Sequence, residues 1–166
     1  MQTPSLRRIV WIGGLASLVF SIVLHLSMLW EVPPLNMALW DGSFLTINME
    51  WATFLGLGLE WLIGCLLCLA FAELWAPNVR GSYAFKGSTF GVLWWGFMMI
   101  FGFPLLGLAS PLSRNGLAPY PGLFALGEGP ATPILFLLAM VGFGLVAGFF
   151  LEQRGHIWGP FHWHLS

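Results

Sequence analysis

Charge is what this chain has least of. Charged side chains make up 8% of its 166 residues, against roughly 25% in a soluble domain. Too little polar surface is available to coat a globule in water, so a soluble domain is excluded. No acidic or basic block is present of the kind that tracks a nucleic acid, and the net charge is −1. Cysteine is scarce too. Cys65 and Cys68 are the two present, and both fall in a hydrophobic run, so no disulfide framework is indicated. Their C-x-x-C spacing matches a redox motif, but the reactive form sits at a helix N-terminus, where the dipole activates the thiol. Mid-run, they read as small packing residues. Walker loops, serine-nucleophile elbows and H-E-x-x-H motifs are also missing, which argues against a hydrolase, kinase or nucleotide site.

What the chain does have is oil. Hydrophobic residues reach 58% and gather in four runs, at residues 9–30, 52–75, 88–109 and 131–151. The first, 22 residues with His25 as its one ionisable group, spans roughly 33 Å as a helix, enough to cross a bilayer. A signal peptide would have a shorter apolar core and a small-x-small cleavage site; the run is therefore expected to be an uncleaved anchor. The expected fold is all-α: a four-transmembrane-helix bundle forming one integral membrane domain. Each half starts with a basic residue and glycines (Arg8, Gly13, Gly14; Lys86, Gly87, Gly91) and returns to a glutamate (Glu73; Glu152). Such a repeat would make the four spans two parallel helical hairpins.

Between the first two runs lies a connector with Pro33, Pro34, Asp41, Gly42 and Glu50. Its aromatics, with Trp30, Trp40, Phe44 and Trp51, suggest a segment partly on the membrane surface. Pro104 in the third run is expected to free a backbone carbonyl and kink the last turns. With the N-terminus in the cytoplasm, Arg7, Arg8, Arg80, Lys86 and Arg154 lie inside and Arg114 alone outside. The positive-inside rule therefore predicts both termini in the cytoplasm of a cell membrane, the inner membrane if the cell is bacterial.

Small residues recur every fourth position on the first two runs. One ridge is Gly13, Ser17, Ser21 and then His25; the other is Gly56, Glu60, Gly64 and Cys68. Gly87 and Gly91 in the third run, and Gly144 and Gly148 in the fourth, are further packing candidates, since small residues let helices approach closely. Glu60 is an acid in hydrocarbon and needs a partner. In antiparallel helices of matching depth, His25 and Glu60 lean toward each other, which makes an intramembrane polar pair the expected arrangement.

No cofactor is implied. Haem needs facing His or Met ligands at one depth, whereas His25 is the lone in-span histidine and Met28, Met98, Met99 and Met140 are scattered. Trp94 and Trp95 leave room for a quinone or pigment but read first as packing or lipid-facing rings. No metal site is expected. His156, His162 and His164 are the candidates, near Glu152, but their spacing is no zinc pattern, and Trp158, Phe161 and Trp163 beside them read as interfacial anchors.

Gly13-Gly14, Pro33-Pro34-Leu35-Asn36, the glycine-striped second run, and Lys86-Gly87-x-x-Phe90-Gly91 leading to Pro104-Leu105-Leu106-Gly107 together carry a resemblance. The chain resembles small four-helix bacterial integral membrane proteins of unknown function, over most of its length. That likeness implies a histidine in the second helix, where this chain has Glu60-Trp61, and it implies no activity. Three functions follow from the residues. The first is a non-enzymatic accessory subunit that packs through its glycine ridges against other membrane proteins or itself. The second is a small oligomeric proton-coupled transporter using Glu60 and His25. The third is a redox or pigment-associated subunit holding haem or quinone with a partner.

Overall fold

The computed structural model describes residues 5–26 and 35–157, the last five of these as helical backbone. In chain order come α1 (Leu6–His25), α2 (Met37–Gly42) and α3 (Met49–Ala70), which continues through a π-helical turn, Phe71–Trp75. Next, α4 (Tyr83–Phe97) runs through a second π turn, Met98–Gly102, into α5 (Phe103–Ala109). A single turn, α6 (Pro111–Arg114), a 3-10 segment (Leu123–Glu128) and α7 (Thr132–Ile157) complete it, with no strand among the described residues. Four stretches are long and apolar enough to cross a membrane: Leu6–His25, Met49–Trp75, Tyr83–Ala109 and Thr132–Glu152.

Polar caps decide where the helices begin. Asn48 accepts hydrogen bonds from the Glu50 and Trp51 amides, and Ser82 accepts one from Phe85. Each satisfies amide groups that the first turn leaves without partners. The second and third spans therefore start at Met49 and Tyr83, a few residues before the hydrophobic runs do. Pro104 is accommodated by the π turn just ahead of it, which widens the ladder where a proline ring would otherwise press on the preceding turn. The π turn ending α3 closes with the Ala76 amide on the Phe71 carbonyl at 2.8 Å.

Two close seams hold the long helices together. Gly13 of α1 lies against the backbone of Gly64 and Cys65, and Gly64 against the Ser17 side chain, which sets α1 antiparallel to α3. Gly87 of α4 and Gly144 of α7 press on each other's carbonyls, Gly91 faces Met140, and Gly148 faces Tyr83. Helix α1 also packs on α7. The main core lies between them, where Phe136 sits edge-on to Phe20 at 5.4 Å and to Phe103 at 5.1 Å. A second cluster gathers Ile9, Ile12, Cys68, Phe71 and Ala147 near the opposite end. The outer faces remain apolar, with Trp11, Phe54, Leu105 and Leu138 all exposed, as suits helices whose surroundings are lipid.

In the connector after the first span the aromatics divide between core and surface. Trp40 is 3% exposed and belongs to the main core, because α2 folds back along the first turns of α3. Phe44 and Trp51 are exposed, and Trp30 lies outside the described residues. A buried serine pair fastens this connector. Ser43 Oγ donates to the Trp40 carbonyl at 2.7 Å, which uses its one hydrogen, so the 3.0 Å contact between Ser43 and Ser110 has Ser110 as donor. Ser110 in turn accepts from the Leu112 amide. Ser110→Ala removes the cap and leaves Ser43 short of a donor. It should lower unfolding free energy by about 1–2 kcal/mol in a denaturant titration of the detergent-solubilised protein; an unchanged midpoint would contradict this assignment.

Candidate functional site

The site grows from the α1–α3 seam. Where Gly13 and Gly64 allow the helices to touch, Ser17 and Ser21 come within reach of Glu60. Ser17 Oγ donates to the Glu60 backbone carbonyl at 3.4 Å, and Ser21 Oγ donates to Glu60 Oε1 at 2.5 Å. His25, one turn further on, is exposed and donates from Nδ1 to the Ser21 carbonyl at 2.8 Å. The accepting atom is a carbonyl, so Nδ1 carries the proton. Ser21 thus stands between His25 and Glu60, and the imidazole acts on the carboxylate through space. No hydrogen bond or ion pair between these two is found among the described residues.

A second carboxylate, absent from the sequence reading of the site, arrives from the connector. Asn36 caps α2 by accepting from the Leu39 amide at 2.9 Å. A Cβ on Gly42 would fall on the Ala52 carbonyl oxygen, and one on Gly56 would fall on that of Ala38. Two glycines in register therefore press α2 against α3, and Asp41 is carried to the cavity that Glu60 lines. Burial first, and then the negative charge of Glu60, push the Asp41 carboxyl up to about 7. Removing water disfavours the charged form, and a like charge nearby disfavours it again.

The cavity measures about 200 Å³. Among the described residues, its polar side chains are Ser17, Asp41 and Glu60; aromatic, aliphatic and methionine residues from α1, α2, α3, α4 and α7, with the π turn after α4, form the rest, and no basic side chain lines it. By volume it exceeds the 150 Å³ or so that holds a benzene ring in an engineered apolar cavity.

The other sequence candidates are spread through the fold. Gly56 meets α2 in place of a spanning helix, and Cys68 is fully buried beside Phe71 and Ile9. Trp94 lines the acidic cavity, with Met98 and Met140, whereas Trp95 Nε1 donates to the Pro133 carbonyl at 2.8 Å. The side chains of His156, His162 and His164 lie outside the described residues. Among those described, no group of three or more His, Cys, Asp or Glu could hold a metal ion.

Basic residues gather at the far end from the cavity's connector. Arg8 donates to the Phe150 carbonyl, Lys86 Nζ donates to the Ala76 carbonyl at 2.6 Å and lies over the Tyr83 ring, and Trp75 Nε1 donates to the Lys86 carbonyl at 2.9 Å. No protein-family description, curated protein or solved structure matches the chain.

Proposed function

We propose that the chain is a small proton-coupled membrane carrier: a bundle of four transmembrane helices, two parallel hairpins side by side, that exchanges protons for a small solute at Asp41 and Glu60. The observation that carries this reading is the pair of carboxylates lining one otherwise apolar cavity. Ionisable groups in such surroundings are costly and mark ion or substrate paths. An acid held near neutral pH binds or releases a proton as its surroundings change. The Ser21 hydroxyl donates to Glu60 and steadies it, while His25, held on the Ser21 backbone carbonyl, acts on the carboxylate through space. The carrier lies in a cell membrane, with Arg7, Arg8, Arg80, Lys86 and Arg154 on the cytoplasmic side.

The glycine ridges bear on the choice between this and an accessory role. Gly13, Gly56, Gly64, Gly87, Gly91, Gly144 and Gly148 all meet this chain's own atoms closely enough that a Cβ would collide. Their packing capacity is spent inside the molecule, which shifts weight from a partner-binding subunit to the cavity.

Reconstitution in proteoliposomes tests the proposal. With a pH gradient imposed, a panel of small amines, carboxylates and neutral solutes is assayed for uptake. At least one class should accumulate in a gradient-dependent way, and Asp41→Asn or Glu60→Gln should cut its rate by about tenfold or more, the scale set by losing a proton-transfer group. No gradient-driven accumulation of any class would sink the carrier reading, as would uptake indifferent to both substitutions.

A further inference from the structure

The cavity's chemistry narrows the solute. Among the described residues two acids line it and no basic side chain does, so an anion would meet repulsion there. A hard metal ion is poorly served as well. Such ions take six or more oxygen ligands, while this site offers two carboxylates and a hydroxyl within an apolar wall, and no metal-ligating trio occurs among the described residues. The Ser17 hydroxyl already donates to the Glu60 backbone. What is left unmatched is negative charge.

The wall supplies the rest. Phe20, Trp94, Phe136 and Phe143 bring aromatic rings, whose faces attract a cation most strongly where water is excluded. Met37, Met98 and Met140 add polarizable side chains that adapt to varied apolar shapes. The volume, about 200 Å³, suits one ring with a short arm.

We infer that the cavity binds a monovalent organic ammonium with a small apolar body, its charged end between Asp41 and Glu60 and its body among the aromatic and methionine side chains, in competition with a proton. This rests on the carrier reading for its purpose but not for its test. Among the described residues, the charged groups bearing on the pair are few. His25 of α1 acts on Glu60, the two acids act on each other, and α4 and α7 contribute none to the lining. Binding balances simply: the ammonium enters with its own proton, and where Asp41 is still protonated, below about pH 7, the pair releases one acid proton to solvent, whereas at higher pH that proton has already left. No bond other than O–H is broken.

Benzylammonium is the probe, with benzyl alcohol and benzoate as neutral and anionic counterparts of nearly the same shape. Each is titrated calorimetrically into the full-length protein in detergent, at about pH 5.5 and about pH 8, a range in which the ammonium keeps its proton. With Asp41 releasing its proton at about 7, simple competition predicts benzylammonium binding roughly 30-fold tighter at the higher pH. Proton release should show as a dependence of the heat on the buffer at about pH 5.5, and hardly at about pH 8, where Asp41 is already ionised. Benzyl alcohol should bind weakly and without pH dependence, and benzoate more weakly still. Asp41→Asn should flatten the pH profile, and Glu60→Gln should erase the preference for ammonium over alcohol.

Benzyl alcohol or benzoate binding as tightly as benzylammonium at the higher pH overturns the inference, and so does a flat benzylammonium profile in the wild-type protein, which needs no variant to fold. Two results separate it from the carrier reading. Ammonium binding as described, with no gradient-driven uptake, leaves this assignment standing and removes transport. Gradient-driven uptake of anions or neutral solutes alone does the reverse.

Discussion

Gly144→Leu is expected to prevent α4 and α7 from docking, with a loss of stability larger than the ~1–3 kcal/mol of ordinary core overpacking. A Cβ at Gly144 would land on the Gly87 carbonyl, and one at Gly87 on that of Gly144. Both obstacles are backbone, which cannot rotate aside as a side chain can. The helices would have to separate along the whole seam, undoing the neighbouring contacts of Gly91 with Met140 and Gly148 with Tyr83. Gly58→Leu is the matched comparison: it makes the same change of size on a spanning helix where a Cβ meets nothing within 4 Å. Leucine there should be neutral or stabilising by up to about 1 kcal/mol, since glycine in a helix interior is the poorer helix former. Unfolding in a detergent–denaturant titration reads both. Equal midpoints for the two variants would mean that the seam is not formed as described.

That contrast shows how far glycine spacing could be read from sequence. The ridges Gly13-x3-Ser17 and Gly144-x3-Gly148 announce helices that can approach closely, because a missing side chain is visible in one dimension. Which helix approaches is not. Gly56 lies on the same ridge as Gly64, yet its neighbour is the short α2, not α1. Spacing fixes the face of a helix, whereas the partner depends on how the intervening chain turns.

The long apolar runs were legible for a similar reason. Length and hydropathy alone mark a helix able to cross a bilayer, and all four stretches are present. Their starts were harder to see, because the hydrophobic run begins after the cap. Asn48 and Ser82 are cap residues of the favoured type, and weighting them over hydropathy moves both boundaries to where the helices begin. The connector held the larger omission. Pro33-Pro34 and Asp41-Gly42 punctuate it as a loop, and six residues are too few for a hydrophobic period to register. Its signal was finer: Asn36 as a cap, then Ala38 and Gly42 four apart, a small-x3-small spacing on a helix of barely two turns. That spacing, facing Gly56, brings Asp41 into the site. Glu60 also has a hydrogen-bond partner that matching by depth passes over. Depth sets carboxylate against imidazole, which acts on Glu60 through space, while the hydroxyl of Ser21, one turn earlier on α1, donates to Oε1 at 2.5 Å.

Asp41→Asn is expected to stabilise the protein above neutral pH while depriving it of proton-linked binding. In an unfolded chain this carboxyl ionises near its ordinary value of 3.8; in the folded protein it does so at about 7. Below about pH 4 it is neutral in both states and contributes no pH-dependent difference. Between about 4 and 7 the unfolded chain gives up its proton while the folded chain retains it, so stability falls as pH rises. Above about 7 the folded carboxyl is ionised too, and the full penalty of burying that charge, with Glu60 nearby, is present. At ~1.36 kcal/mol per pKa unit the penalty has a ceiling on the order of 4 kcal/mol, reduced because Asp41 is not wholly buried. Asparagine keeps the shape and cannot ionise. Its variant should match wild type in unfolding free energy near pH 4 and exceed it near pH 8, with a flatter profile between. Parallel profiles over that range would show that Asp41 is not held as a strained acid. A slope confined to the wild type would instead mean that the fold gives up stability at this position to keep a proton available near neutral pH. Structural packing alone offers no reason to retain such an acid, whereas a site that trades protons for a cation does.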